Sequence, residues 1–204
     1  MDFSIPQLSF ILLGDFDRSD LDRYSLLNNG IIEDYNNEII DYKINNQYTL
    51  LRSSSLSLEV YNSQIIFSPI GITYNETINI EKLKNLIKIL KGDKIRAIGI
   101  NLAYNVSFSD KKDYEIFLKN ELFLKNNLIF NEYFNTSESF TSVSLTNIFS
   151  DYILNLDITN KGIDNVKYQF NYHLNEEMNK NVLSLLDKMD FIFDHTNDIL
   201  SKMV

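Results

Sequence analysis

The chain holds two histidines and no cysteine, so any proton-transfer or nucleophilic chemistry must be built from few parts. His173 lies in "YQFNYHLN", on the polar side of an alternating stretch, and His195 follows Asp194 in "FIFDHTND". An imidazole oriented by a carboxylate is the usual general base. The simpler reading of both is an exposed histidine with an incidental acidic neighbour. The aspartates Asp15, Asp17, Asp20 and Asp22 have the density of a calcium loop. They fail its geometry, because counting from Asp15 puts Asp20 where the loop needs glycine and Leu26 where it needs a bidentate glutamate. A solvated, helix-capping loop fits them better. No phosphate-cradling glycine loop, dinucleotide fingerprint, G-x-S-x-G elbow or H-E-x-x-H pair is present. The chain is therefore expected to be non-enzymatic, with no catalytic residue, no metal and no cofactor.

Composition narrows the class further. Net charge is −9 and the isoelectric point about 4.7, which opposes sequence-independent binding to phosphates. The densest basic run, Lys82, Lys84, Lys88, Lys91 and Lys94, reads as the solvated face of an amphipathic helix. With 44% hydrophobic and 13% aromatic residues the 204-residue chain can bury a core, so disorder is excluded. No apolar run reaches the roughly 18 residues needed to span a bilayer. The first residues, "MDFSIPQLSF", lack a basic flank and contain Pro6, against a signal peptide. A cytoplasmic protein is the expectation, consistent with the absence of cysteine.

Regular elements must position whatever surface acts. "QLSFILLG" (7–14) reads as a buried strand, and Ser19 or Asp20 could cap a short helix to Leu27, closed by Asn29-Gly30. From 31 to 68 the pattern is an antiparallel meander, with Leu56, Leu58 and Val60 opposite Ser55, Ser57 and Glu59. A helix is expected from Asn79, carrying Ile80, Leu83, Leu86, Ile87 and Leu90 inward and stopping at Gly92. A long strand, 96–108, follows. A further helix starts at Ser109 or Asp110 with Tyr114, Phe117, Leu118 and Leu122 inward. Then come "SFTSVSLTN" and "FSDYILNLDIT", a turn at 160–162, and "IDNVKYQFNYHLN", in which Val166, Tyr168, Phe170, Tyr172 and Leu174 alternate with Lys167, Gln169, Asn171 and His173. A long helix from Glu176 to Lys202, capped by Asn175, closes the chain.

These elements predict an α+β fold: antiparallel sheet covered on one side by helices, with a long C-terminal helix, as one domain over 1–204 with two lobes, 1–108 and 109–204. In the strand "RAIGINLAYNVSF" bulky Ile98, Ile100, Leu102, Tyr104, Val106 and Phe108 alternate with small or polar Ala97, Gly99, Asn101, Ala103, Asn105 and Ser107. Small residues on a strand mark close approach, by an internal helix as the first expectation, and otherwise by a subunit, a partner or a ligand. Glu59, Lys167, Gln169 and His173 are expected to share an exposed sheet face. Tyr35, Tyr42, Tyr48, Tyr61, Tyr74 and Tyr133 lie in or near the β blocks, and surface tyrosines suit protein interfaces. The candidate partner-binding residues are Tyr61, Glu59, Lys167, Gln169, His173, Asn101 and Asn105.

Arg96, Gly99, Tyr104 and Asn105 in a strand after a helix, Asp157 in "LNLDIT", and Phe193 and Ile199 in the terminal helix carry a resemblance. They are similar to a sporadically distributed bacterial family of uncharacterised proteins. The second arginine and the helix histidine of that family's pattern are absent here. The resemblance implies no established activity, only the patchy occurrence associated with mobile elements and host–phage conflict. The functional expectation is a protein-binding module, in a sharper form an inhibitor or accessory factor of a nucleic-acid-handling defence enzyme (phage counter-defence type). A small-ligand-binding protein or hydrolase with a cavity between sheet and helices, and a homodimeric structural protein, are the alternatives.

Overall fold

A computed structural model describes residues 2–3, 7–18, 21–32, 39–70, 76–90, 95–117, 142–161, 165–178 and 181–203. Ten strands form one antiparallel sheet: β1 (Asp2–Phe3), β2 (Gln7–Gly14), β3 (Ile39–Ile44), β4 (Tyr48–Ser53), β5 (Leu56–Tyr61), β6 (Gln64–Pro69), β7 (Ile95–Ser107), β8 (Ser142–Ile148), β9 (Ile153–Asn160) and β10 (Asn165–Asn175). Among the described residues the α-helices are α1 (Arg23–Asn28), α2 (Glu76–Ile89), α3 (Lys111–Phe117) and α4 (Met189–Met203), with a 3₁₀ helix, Val182–Lys188, leading into α4.

The spatial order β3-β4-β5-β6-β2-β7-β10-β9-β8 has a simple logic, with β1 extending the β2 side of β7. From the central strand β2 the chain passes through α1 to the outer strand β3, then returns inward through β4, β5 and β6. From the adjacent central strand β7 it passes through α3 and later enters the opposite outer strand β8, returning through β9 and β10. Two similar meanders thus flank a central β2–β7 pair.

Alternation decides the two faces. Ile98, Ile100, Leu102, Tyr104 and Val106 of β7 are buried, as are Val166, Tyr168, Phe170, Tyr172 and Leu174 opposite them on β10 and Leu8, Phe10 and Leu12 on β2. Tyr104 and Phe170 meet edge to face at 6.2 Å, and Phe10 and Phe67 at 6.1 Å, the arrangement ring quadrupoles favour. The cover comes from Leu26 of α1, Leu83, Leu86, Ile87 and Leu90 on or just after α2, Tyr114 of α3, and Ile192, Phe193 and Leu200 of α4. The helices that contribute to the core do so on this side, so the expected one-sided cover holds in that sense. The fold is nevertheless predominantly sheet.

Several local expectations are corrected. The cap of α1 is Asp22, whose carboxylate accepts from Ser25 N at 2.7 Å while Ser25 Oγ accepts from Asp22 N. Ser19 and Asp20 fall outside the described residues. Gly30, with φ of 66°, follows the helix in the left-handed region, where glycine carries no steric cost. Helix α2 starts at Glu76, one turn before Asn79; Gly92 lies outside the described residues, as do Leu118 and Leu122. The long closing helix forms, but later than expected: it runs from Val182 to Met203 and begins as 3₁₀, while Asn175 Oδ1 accepts from Glu177 N and Met178 N in a turn before it. Three-residue periodicity stacks Val182 and Leu185 in one row, and that row lies over β7 and β10. Only from Met189 does a wider, 3.6-residue face meet the core.

The alternation on β10 is directly testable. Phe170→Ala should lower the unfolding free energy by about 3–5 kcal/mol, as for a buried aromatic truncated in a close-packed core. Gln169→Ala, one residue away, should change it by less than about 0.5 kcal/mol. Urea denaturation of both variants reads the difference.

Candidate functional site

The small side of β7 faces outward. Among the described residues no helix lies against it, so the expected internal helix is replaced by an open sheet face. Register assigns the side chains on this face to transverse rows, because directly paired residues on adjacent strands point the same way. One row is Leu50, Glu59, Ile66, Ile11, Gly99, His173, Ile153 and Ile148 across eight strands. Apart from Glu59 and His173 it is an apolar strip.

Beside that strip runs a hydrogen-bonded ladder. Thr146 Oγ1 donates to Asn155 Oδ1 at 2.8 Å, and Asn155 Nδ2 to Asn171 Oδ1 at 3.4 Å. Asn171 Nδ2 donates to Asn101 Oδ1 at 2.5 Å, and Asn101 Nδ2 to Ser9 Oγ at 3.3 Å. Five strands are joined by one line of side chains. Each carboxamide has two donor hydrogens and a two-lone-pair acceptor; Asn155 and Asn171 also meet His173 Nδ1, while Asn101 makes one bond in each direction along the ladder. Gly99 supplies clearance: a Cβ there would stand 3.2 Å from Asn171 Nδ2.

On the other side of the ladder the face is concave. A depression of about 810 Å³ is lined by Gln7, Ser9, Ser68, Asn101, Ala103, Asp157, Lys167, Gln169 and Asn171, with Pro69 and Ile70 at one side. Ser144 Oγ donates to Asp157 at 2.5 Å. Among the described side chains, register places Asp41, Glu59 and Asp157 on this face together with Lys43, Arg52 and Lys167, so it carries both signs of charge.

The sequence-derived residues divide as follows. Asn101 is a rung of the ladder, and Lys167 and Gln169 border the depression. His173 shares the row of Glu59, with β6, β2 and β7 between them, so the two do not meet. Tyr61 stands further along the same face, donating to Glu59 Oε2 at 3.0 Å and lying 5.9 Å from the Tyr48 ring. The Glu59 carboxylate raises the Tyr61 pKa, with burial adding to it. Asn105 is exposed beside Lys167. Tyr42 belongs to the other side, paired with Leu51 and packed on the core under the Arg23 guanidinium at 4.7 Å. Tyr35, Tyr74 and Tyr133 lie outside the described residues. The composite ladder was missed by sequence reading because it needs strand order: Asn155, Asn171 and Asn101 are neighbours only once β7, β10 and β9 are known to be adjacent.

Neither histidine is oriented by a carboxylate. His173 Nδ1 lies 3.2 Å from Asn171 Oδ1 and 3.4 Å from Asn155 Nδ2. His195 Nδ1 is hydrogen-bonded to Tyr172 Oη at 3.2 Å, and its ring stacks on Phe191 at 5.3 Å. Burial pushes the Tyr172 hydroxyl up to about 12, so it stays protonated at neutral pH. Asp22 of the aspartate cluster caps α1, and Asp15 pairs with Arg96 at 3.5 Å. Among the described residues no three His, Asp or Glu side chains are grouped to hold a metal, and no helix is long and apolar enough to cross a membrane. No protein-family profile matches the chain, and no curated protein sequence matches it.

Two measurements follow. Asn171→Ala removes the central rung and should lower the unfolding free energy by about 1 kcal/mol, with Gly99→Val costing more because it displaces Asn171 without removing its polar atoms. Burial lowers both histidine pKa values; at His195 Asp198 opposes that shift and Lys202 reinforces it. The unfolded chain therefore takes up protons first, at about pH 6.5. The histidine contribution to stability is complete above that pH and is lost as pH falls through the folded values. Urea midpoints at pH 7.5 and 5.5 should diverge more in the native sequence than in the His173→Gln, His195→Gln double variant.

Proposed function

We propose that the protein is a non-enzymatic binding module whose open sheet face receives a protein partner. The observation that carries this reading is the adjacency of an apolar strip (Ile66, Ile11, Ile153) and a hydrogen-bonded side-chain ladder on a face of mixed charge. Interfaces combine an apolar, charge-poor centre with polar groups that find partners around it. Tyr48 and Tyr61 extend the same face with amphipathic contact area. Small side chains along β7 let a partner's backbone come close.

The mixed charge of the face bears on the sharper expectation. Competition with nucleic acid for a basic groove needs clustered acids on the contacting surface, and here Asp157, Glu59 and Asp41 are matched by Lys167, Arg52 and Lys43. The proposal therefore rests on shape and hydrogen bonding, and a defence enzyme as partner draws no support from this face. A second reading, small-ligand binding, is favoured by the 810 Å³ depression alone. Ligand sites of that size are usually lined mainly by apolar side chains; here Leu8, Pro69, Ile70, Leu102, Ala103 and Phe170 line the depression beside five amide or carboxylate side chains.

The test uses tagged protein as bait in lysate of its native host, treated with nuclease, beside an Ala103→Arg variant. Arginine at 103 fills the depression and crosses the ladder, while Lys84→Glu on α2 serves as a control away from the face. A stoichiometric protein recovered by the native bait and by Lys84→Glu, and lost with Ala103→Arg, is the expected result. Recovery unchanged by Ala103→Arg contradicts the reading.

A further inference from the structure

The two outer strands of the sheet differ in a way that neither the fold nor the open face requires. On β3 the side chains Asp41 and Lys43 are charged and paired at 3.0 Å, and its register with β4 shifts between Ile39 and Asp41. Charges and irregularity are the devices that keep an edge strand from pairing with another chain. On β8, "SVSLTNI", there is no charge, no proline and no glycine, and its pairing with β9 runs without a break over seven residues. Leu145 is 51% exposed and Ile148 is 71% exposed. Among the described residues no strand pairs with the outer edge of β8.

We propose that β8 is the seam of a homodimer, pairing antiparallel with β8 of a second copy about a two-fold axis at Leu145. This register uses the whole strand: Ser142 opposes Ile148, Val143 opposes Asn147, Ser144 opposes Thr146, and Leu145 opposes its own counterpart. An antiparallel two-fold keeps each face on its own side, so the open faces of both copies form one continuous surface. On that surface the Asn155–Thr146 end of each ladder abuts Ser144 of the other copy. On the opposite face the two Leu145 side chains meet beside Leu156, with which each is already paired. The charge pattern selects a second copy as occupant. An isologous strand pair sets a strand against itself about its midpoint, a register that β8 can adopt over its full length without opposing two charges. Like charges directly opposite destabilise a strand pair, and β8 has none to oppose. Each copy carries −9, so the contact must be made where charge is absent, and β8 is an uncharged edge.

Native cysteine is absent, which gives a direct test with the full chain. Leu145→Cys places two thiols opposite one another across the axis. Antiparallel partners have Cα atoms about 4.5–5.5 Å apart, inside the range a disulfide spans. Under mild oxidation Leu145→Cys should be recovered mainly as a covalent dimer, whereas Tyr24→Cys, on an exposed helix position, should stay largely monomeric. Native mass and sedimentation velocity of the unmodified protein should give a dimer, shifted toward monomer by Leu145→Lys, which sets two ammonium groups together. Because net repulsion is screened by salt, dimer should increase at higher ionic strength. A monomeric native protein whose Leu145→Cys variant crosslinks no faster than Tyr24→Cys overturns the proposal. So does a dimer that Leu145→Lys leaves intact and Leu145→Cys fails to trap, since its seam lies elsewhere.

Discussion

Everything else in the structure depends on strand β7 sorting its side chains by size. Its bulky residues, from Ile98 to Val106, define the side on which helices can bury apolar surface, and its partners β2 and β10 repeat the choice in register. A slip of one residue would turn every one of these side chains to the other face. Phe10, Phe67, Tyr104, Phe170 and Tyr172 could not then reach the core. The alternation is therefore held from both neighbours, and the position of the open face is a consequence of it.

That open face combines features no single strand possesses. The ladder from Thr146 to Ser9 draws one residue from each of β8, β9, β10, β7 and β2, and its continuity requires the asparagines of β7, β9 and β10 to fall in one row. Gly99 lets Asn171 lie close to the strand. Thr146 is exposed and Ser9, Asn101, Asn155 and Asn171 are half-buried, so the ladder lies at the surface of the sheet and not in its core. The histidines join this network or the aromatic cluster of Phe149, Tyr152, Tyr172 and Phe191 instead of a catalytic pair.

The elements with period-two alternation were legible in the sequence: β5, β7 and β10 lie within a residue or two of their expected bounds, and the shared face of Glu59, Lys167, Gln169 and His173 follows from that pattern. Strand order was not legible, because the return of each meander to a central strand depends on contacts far apart in sequence. Helix ends were read poorly for local reasons. Asp22 caps α1 through its reciprocal bond with Ser25, a pairing three residues apart that the capping-box spacing could have pointed to. The apolar spacing of Val182, Leu185 and Leu186 fits an α-helix and a 3₁₀ helix alike, and packing on β7 and β10 goes with the tighter form. Composition groups Tyr42 with Tyr48 and Tyr61, whereas register with Leu51 turns it toward the core.

Among the described residues the two sides of the sheet differ in kind: helices contribute to the buried core on one, and none lies against the other. Thiol labelling measures this directly, since any introduced cysteine is the sole one in the chain. Native-state modification of Ala103→Cys should proceed at a rate comparable with exposed Tyr24→Cys, while Leu102→Cys, on the adjacent residue, should react only through unfolding. Protection of Ala103→Cys equal to that of Leu102→Cys would contradict the account, because the small side of β7 would then be covered and unable to bind.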